Sequence, residues 1–303
     1  MKKLLGVLLC LSVSLTSFGV SSKAEASEKI VGSPKLAVLV DGRKVKFQGG
    51  DPVSEKGRVQ VPLRGIGEAL GAEIGFSGNT VTYKKGSKSI VLTIGSKVAN
   101  VDGKSVTMDT TAKAIKGRTY VPLRFVSENL GERVEWDSVA NWVWIGSKEV
   151  PTIEEADIES VSIEPYSSLY ESGKHLMKDA AGKNLEKVYI ITTDDLPLKM
   201  ETGNIFYDIW EVHQGETEGL KVRGSIGDPT IGYLGKNIVP RLRSAYGIEK
   251  NADSTKTSLY PIKTKNDIDI DPNSYKSFKL SQIDYIDIKM NYFYGVLLVN
   301  PFK

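Results

Sequence analysis

The chain has 303 residues, of which 40% are hydrophobic and 25% are charged, and its formal net charge is +3. This length is enough for two ordinary domains, and the composition is that of a folded globular protein rather than a disordered chain. The near balance of acidic and basic residues excludes the strongly basic surface that is typical of nucleic-acid-binding proteins.

Residues 1–26 have the three-part pattern of a secretory signal peptide. Met1-Lys2-Lys3 provides a positive start, Leu4 to Leu15 is apolar, and Ala24-Glu25-Ala26 supplies small residues for a signal peptidase. The apolar stretch is shorter than the about 20 residues that span a bilayer. We therefore expect cleavage after Ala26, secretion, an extracellular or cell-wall-associated location, and no transmembrane segment in the mature chain.

The single cysteine, Cys10, lies inside the predicted signal peptide. A lipoprotein signal would place a small residue directly before the cysteine, where this chain has Leu9, so lipidation is the weaker alternative. Cleavage would leave a cysteine-free mature chain, without disulfides, thiolate metal sites or a cysteine nucleophile. Exported chains of this kind are common in Gram-positive bacteria, and we expect such a source.

Two blocks of the first half share one pattern at an offset of 60 residues. Each block predicts a half-buried strand, then a short helix that begins near a proline and ends at a glycine. A helix of about two turns is unstable alone and must pack on a sheet. The shared positions are Arg58, Pro62, Arg64, Glu68 and Gly71 in the first block and Arg118, Pro122, Arg124, Glu128 and Gly131 in the second.

Antiparallel hairpins are predicted between and after these blocks. Thr80–Tyr83 and Ser89–Ile94 flank a Lys-Gly-Ser turn, and Lys97–Val101 precedes an Asp-Gly-Lys turn. Val134 and Trp136 alternate on one strand, and Trp142 and Trp144 alternate on the next. The predicted fold class is α+β, with tandem 60-residue repeats of antiparallel strands around short helices, followed by a second α+β domain.

The paired blocks, their preceding Val-Asp-Gly turns and the closing Val134-Glu135-Trp136-Asp137 resemble the copper amine oxidase N-terminal domain family, also called the stalk domain. The resemblance covers about residues 35–147, and we recognise no family in the second half. The resemblance implies a non-catalytic appendage that recurs in exported proteins of Firmicutes, joined to many unrelated partners. It therefore implies neither copper binding nor amine oxidation here.

The residues themselves also argue against a copper amine oxidase. Enzymes of that type hold copper with three histidines, whereas this chain has only His175 and His213. They also convert a tyrosine to a quinone within an Asn-Tyr-Asp or Asn-Tyr-Glu sequence. The nearest match here, Asn291-Tyr292-Phe293, lacks the acid. We expect no copper and no other required cofactor.

The repeated arginines and the tryptophans are open to two interpretations. Arg64 and Glu68, like Arg124 and Glu128, are four residues apart and predict an ion pair on one helix face. Their repetition favours a structural role over ligand binding, with the guanidinium fork bridging to carbonyls or to the neighbouring block. Tryptophans can stack on sugar rings or fill a core, and burial is the more common outcome. The possible ligand-stacking residues are Trp136, Trp142 and Trp144.

The second half gives fewer signals. We place an acidic, proline-bearing linker at 148–160 and an uncharacterised α+β domain at 161–303. Leu234–Tyr246 is a predicted helix, although Pro240 would break or kink it. The longer strand predictions are Lys187–Thr192, Phe206–Val212, Gly219–Arg223 and Ile283–Val299.

Two groups in the second half could carry chemistry. His213 lies on a predicted strand near acidic residues, where a structural histidine is more common than a catalytic one. Asp267, Asp269 and Asp271 would share one strand face and supply oxygen ligands that suit calcium. The spacing does not match an EF-hand, because Pro272 stands where that loop needs glycine. A solvated strand edge is the favoured alternative.

Three functions remain in competition. The first is a secreted, non-catalytic binding or stalk protein of the cell surface or wall, whose partner is a cell-wall polymer or an extracellular protein. The second is an exported enzyme with its catalytic site in residues 161–303 and the first half as a targeting appendage. The third is a calcium-tuned adhesion protein. The first is favoured, since no catalytic sequence motif is present and the first half resembles a stalk domain.

Overall fold

The computed structural model describes residues 30–303 except 180, 216, 228, 266–274 and 291–292. The predicted signal peptide and the acidic segment with Asp267, Asp269 and Asp271 therefore lie outside the described residues. Within the described part of the chain, no helix has both the length and the hydrophobicity to cross a membrane.

The first half is built from short strands and two seven-residue helices. Its elements are β1 (Ala37–Val40), β2 (Arg43–Lys44), β3 (Val53–Glu55), β4 (Arg58–Pro62), α1 (Leu63–Ala69), β5 (Glu73–Ser77), β6 (Thr80–Lys85), β7 (Lys88–Thr93), β8 (Val98–Val101), β9 (Lys104–Thr107), β10 (Lys113–Ile115), β11 (Arg118–Pro122), α2 (Leu123–Asn129), β12 (Val134–Asp137) and β13 (Trp142–Ile145).

These strands form three sheets around one core. The strand orders are β12-β13-β1-β2, β10-β11-β4-β3 and β5-β6-β7-β8-β9. β1 precedes both blocks yet pairs in parallel with β13, the last strand of the first half. The core contains apolar residues of all three sheets and both helices, among them Val38, Val61, Ile66, Ile90 and Val126.

The hairpins form where the sequence predicts them. β6 pairs antiparallel with β7, and β8 pairs antiparallel with β9 across the Asp-Gly turn. β12 and β13 are also antiparallel neighbours. Alternating burial along β6 and β7 confirms that one face of each strand packs on the core.

Each helix starts directly after a strand-ending proline. Pro62 and Pro122 are the last residues of β4 and β11, with extended ψ angles of 128° and 111°. The sequence predicts both prolines inside the first helical turn. They lie one residue before it instead, because their ψ angles are still those of a strand. Gly71 and Gly131 end the helices with positive φ, as the glycine signal predicts.

The second half consists mainly of longer strands. Its strands are β14 (Ser160–Ser162), β15 (Lys187–Ile191), β16 (Leu198–Lys199), β17 (Ile205–Gln214), β18 (Thr217–Gly224), β19 (Thr230–Leu234), β20 (Arg241–Arg243), β21 (Gly247–Lys250), β22 (Lys256–Pro261), β23 (Tyr285–Met290) and β24 (Phe293–Val299). Its 3₁₀ segments are Glu164–Met177, Thr193–Asp195, Tyr275–Ser277 and Leu280–Gln282.

Two sheets enclose the main core of the second half. Their strand orders are β14-β15-β24-β23-β19-β20 and β16-β17-β18-β22-β21. Residues such as Ile288 of the first sheet and Val222 of the second lie in one buried cluster. The 3₁₀ segment Glu164–Met177 covers the opposite face of the six-stranded sheet and packs a smaller cluster with Val188 and Leu297.

The predicted helix at Leu234–Tyr246 is wrong, because this segment is strand and loop. Leu234 ends β19, and β20 then pairs antiparallel with β19. Arg241 and Arg243 are buried with their guanidinium groups over the rings of Phe278 and Tyr233. Alternating burial on β20 thus overrides the local helical preference of its sequence. The described chain is mixed and mostly strand, consistent with the predicted α+β class.

Candidate functional site

Strands β4 and β11 bring the two sequence blocks together. They pair antiparallel, with Val61 opposite Val121, which occupy the same position of the two blocks. In such a pair the start of one strand lies beside the end of the other. The Gly-Arg start of each block therefore lies near the Pro-Leu-Arg segment of the other block, where the helix begins.

Two clefts result, and each takes residues from both blocks. The Trp136 cleft joins Arg58 of the first block to Arg124 and Trp136 of the second. The Phe76 cleft joins Arg64 and Phe76 of the first block to Arg118 of the second, with a volume of about 310 Å³ against about 110 Å³ for the Trp136 cleft. The two clefts are therefore lined by corresponding positions of the two blocks but differ in volume.

Both arginines of the Trp136 cleft are paired with carboxylates. Arg58 forms an ion pair with Asp109, which also lines the cleft. Arg124 pairs with Glu128 at 3.3 Å, as the four-residue spacing predicts. Both arginines are about half exposed, so each pair contributes only about 0–1 kcal/mol to stability. Their main effect on the cleft is to cancel its positive charge.

The Phe76 cleft keeps its positive charge. Arg64 and Arg118 are exposed, and no carboxylate of the described residues lies within ion-pair distance of either. The predicted pair between Arg64 and Glu68 is not among the ion pairs of the described chain. Gly49 is sixty residues before Asp109, and a side chain there would collide with the guanidinium of Arg118. A glycine thus stands where the other cleft has its acid.

An exposed aromatic ring lies at each cleft. Phe76 of β5 is 58% exposed, and Trp136 of β12 is 47% exposed. Both residues sit on a strand that follows the helix of their own block. Isolated exposed apolar residues are common on protein surfaces, but here each ring lines a cleft together with two arginines. The rings offer flat apolar faces beside the charged groups.

Trp142 and Trp144 are placed differently from Trp136. Both are buried, and their rings meet edge to face with centroids 5.8 Å apart. They pack with Leu39 and Val150 against Ile205 and Tyr207 of the second half. Their burial removes these two rings from ligand stacking, and they serve the contact between the two halves instead.

Residues 148–160 run along this contact. Val150 packs with the buried tryptophans, whereas Ile153 belongs to the core of the second half. The amide of Lys199 donates to the carbonyl of Pro151 at 2.8 Å. The segment is therefore packed against both halves.

Arg223 of β18 forms the centre of an ion cluster at the contact. Its Nη1 donates to Asp137 of the first half at 2.8 Å, and its Nη2 pairs with Asp253. Nε donates to Thr255, and the guanidinium lies 4.8 Å from the ring centroid of Tyr207. The guanidinium is therefore bonded on every nitrogen, although its side chain is only 2% exposed.

The pKa values of two carboxylates near this cluster are shifted in opposite directions. Burial would raise the pKa of Asp253, but hydrogen bonds from Thr255 and the charge of Arg223 outweigh it and lower the pKa. For Asp208, burial dominates and raises the pKa, despite Lys44 at 3.3 Å. Lys44 also donates to the carbonyl of Thr193 and lies 4.7 Å from the ring centroid of Trp142.

The other predicted chemical groups do not converge on a site. His213 of β17 is half exposed and pairs with Glu211 at 3.2 Å. Within the described residues, no three histidine, cysteine or acidic side chains are grouped so that they could hold a metal ion. Both clefts described above lie in the first half.

Several residues of these sites escaped sequence reasoning. Asp109 and Arg58 are separated by about fifty positions, and no local spacing predicts their pairing. Phe76 could have been found by aligning the two blocks, because it stands sixty residues before Trp136. Arg223 lies on a strand-like run with no unusual pattern, so no local signal marked it.

Residues 39–145 match the model of the family described as Copper amine oxidase N-terminal domain. This match confirms the resemblance drawn from the two blocks, with bounds slightly inside the expected 35–147. The matched segment contains both clefts and most of the first half's strands. No curated protein sequence matches the chain. The first half therefore carries a non-catalytic, stalk-like domain, and the family match does not extend into the second half.

Proposed function

We propose that the chain is a secreted, non-catalytic binding protein of the Gram-positive cell surface or wall, and that its first half makes the attachment. Export is supported by the signal pattern of residues 1–26, and the absence of catalytic function in the first half is supported by its family. The partner is a cell-wall polymer or an extracellular protein.

The observation that carries this proposal is the pair of clefts. Both clefts are lined by the same positions of the two blocks, which meet where β4 pairs with β11. We infer that the two blocks are structural copies of one unit, which together present a ligand face that neither block forms alone. Duplicated shallow clefts suit an extended, repetitive ligand better than a single small substrate, because such a ligand can touch both.

The test uses the mature chain, residues 27–303, and purified wall sacculi of a Gram-positive bacterium. We expect the protein to sediment with the sacculi in a saturable manner and to remain in the supernatant when sacculi are omitted. An unrelated secreted protein of similar size and charge is the control for trapping. If the mature chain stays in the supernatant at every sacculus concentration, wall attachment is wrong and a soluble extracellular partner replaces it.

A further inference from the structure

We propose that the Phe76 cleft is an oxyanion site that takes a carboxylate- or phosphate-bearing sugar polymer, while the Trp136 cleft offers the same polymer an apolar contact without an oxyanion site. This inference names the ligand class of the surface protein proposed above and rests on that function. The evidence is that the two clefts are lined by corresponding residues but differ in charge.

The charge difference has a simple structural origin. In the Trp136 cleft, Asp109 pairs with Arg58 and Glu128 pairs with Arg124. Glu68 holds the position of Glu128 in the first block, so of these two acids only Asp109 has no counterpart. In the Phe76 cleft, Gly49 replaces the acid, and the described chain places no carboxylate on Arg64 or Arg118. Two guanidinium groups with unoccupied donors are suited to bind a carboxylate or a phosphate, often through two parallel hydrogen bonds.

The shape of the cleft adds to this preference. With a volume of about 310 Å³, the Phe76 cleft has room for a sugar-sized group, whereas the Trp136 cleft has about 110 Å³. Pro62 and Leu63 form part of its wall, and the exposed ring of Phe76 stands beside the arginines. An aromatic face packs well against the C–H face of a sugar ring. A charged group and an apolar face together describe an anionic saccharide.

The arginines are exposed, so binding at a single cleft is expected to be weak and salt-sensitive. A polymer with a repeated oxyanion would compensate, because rebinding of neighbouring units raises the apparent affinity. This requirement favours a polymer over a free anion such as inorganic phosphate.

The experiment measures binding of the mature chain to three polymers by isothermal titration calorimetry. Polygalacturonate provides carboxylates on a sugar backbone, phosphorylated dextran provides phosphates on one, and unmodified dextran is the neutral control. We expect one or both anionic polymers to bind, more weakly as salt rises, and unmodified dextran not to bind. Binding of one anionic polymer alone identifies the oxyanion, whereas binding of none, or equal binding of unmodified dextran, overturns the proposal.

Two matched double variants test which cleft binds the polymer. R64Q/R118Q removes the charge of the Phe76 cleft, and R58Q/R124Q removes the same charge from the Trp136 cleft. We expect the first pair to weaken binding by at least about tenfold, since a hydrogen bond to a charged group contributes that much. The second pair should change binding less than about threefold, because its donors are already paired. Circular dichroism checks that both variants fold.

Three outcomes of these measurements show whether the cleft assignment, the wall-binding proposal or both are correct. If both double variants lose affinity equally, the effect is one of overall charge, and the assignment to the Phe76 cleft is wrong. If R64Q/R118Q loses polymer binding but still sediments with sacculi, the cleft assignment stands and the wall is held by another surface. If R64Q/R118Q keeps full polymer binding, the cleft assignment fails even where sedimentation succeeds. F76A then tests the apolar face, and we expect it to weaken binding without changing the salt dependence.

Discussion

At the scale of single residues, Arg223 connects the two halves of the molecule. Its buried guanidinium binds Asp137 of the first half and Asp253 of the second, and it lies against the ring of Tyr207. A buried charge is tolerated only while its partners are in place. Truncation of this one side chain would leave the largely buried carboxylate of Asp137 without its cation.

We therefore expect R223M to lower the free energy of unfolding by about 3–5 kcal/mol, as breaking a buried ion pair does. Urea denaturation followed by tryptophan fluorescence measures this change. The control is K221M on the same strand, which loses a pair to the exposed Glu249 and should cost less than about 1 kcal/mol. Equal effects of the two substitutions would show that Arg223 has no special role at the contact.

At the scale of elements, each of the two short helices is followed by a glycine with positive φ, but the two φ angles differ. Gly71 follows α1 with φ of 65°, close to the left-handed helical region, whereas Gly131 follows α2 with φ of 97°. A Cβ at either position would meet no atom within 4 Å, so only the backbone conformation opposes a side chain. The two positions form a natural comparison of backbone strain.

We expect G71A to cost about 1 kcal/mol of stability, because alanine can occupy the left-handed region at that cost. G131A should cost more, up to about 3 kcal/mol, since its φ lies farther from that region. Chemical denaturation of both variants gives the two values. G75A on β5, with negative φ and only ordinary contacts, should be nearly neutral. A larger loss for G71A than for G131A would contradict the explanation.

Elements of the first half were predictable because their signals are local. Glycine turns bound each hairpin, and alternating apolar residues mark the buried face of β6 and β7. The segment Leu234–Tyr246 was not predictable in this way, since the burial of Arg241 and Arg243 depends on aromatic rings supplied by distant strands and loops. The longer second-half strands were found, but not which sheet each would join.

At the scale of the whole molecule, the two halves share a packed contact as well as a chain. Trp142, Trp144 and Leu39 of the first half pack against Ile205 and Tyr207 of the second. The ion cluster around Arg223 lies beside this apolar contact. The first half alone would therefore expose apolar surface that the intact chain buries.

We expect residues 30–150 produced alone to unfold at a lower temperature than the same segment within the intact chain. The reason is that Trp142 and Trp144 lose the apolar partners that exclude water from them. Differential scanning calorimetry of the fragment and the intact chain measures the difference. A fragment as stable as the intact chain would mean that the contact contributes nothing to the first half's fold.

The sequence by itself determined the paired blocks, the hairpins and the family of the first half, because these depend on residues near one another in the chain. The export signal is an expectation from the same kind of local pattern. Only the tertiary structure decided which residues line the two clefts. Arg64 and Arg118 carry the same motif as Arg124 and Arg58, yet the presence of Asp109 and the glycine at position 49 give the two clefts different charge. That difference arises from contacts across about fifty to seventy residues, which no local pattern encodes.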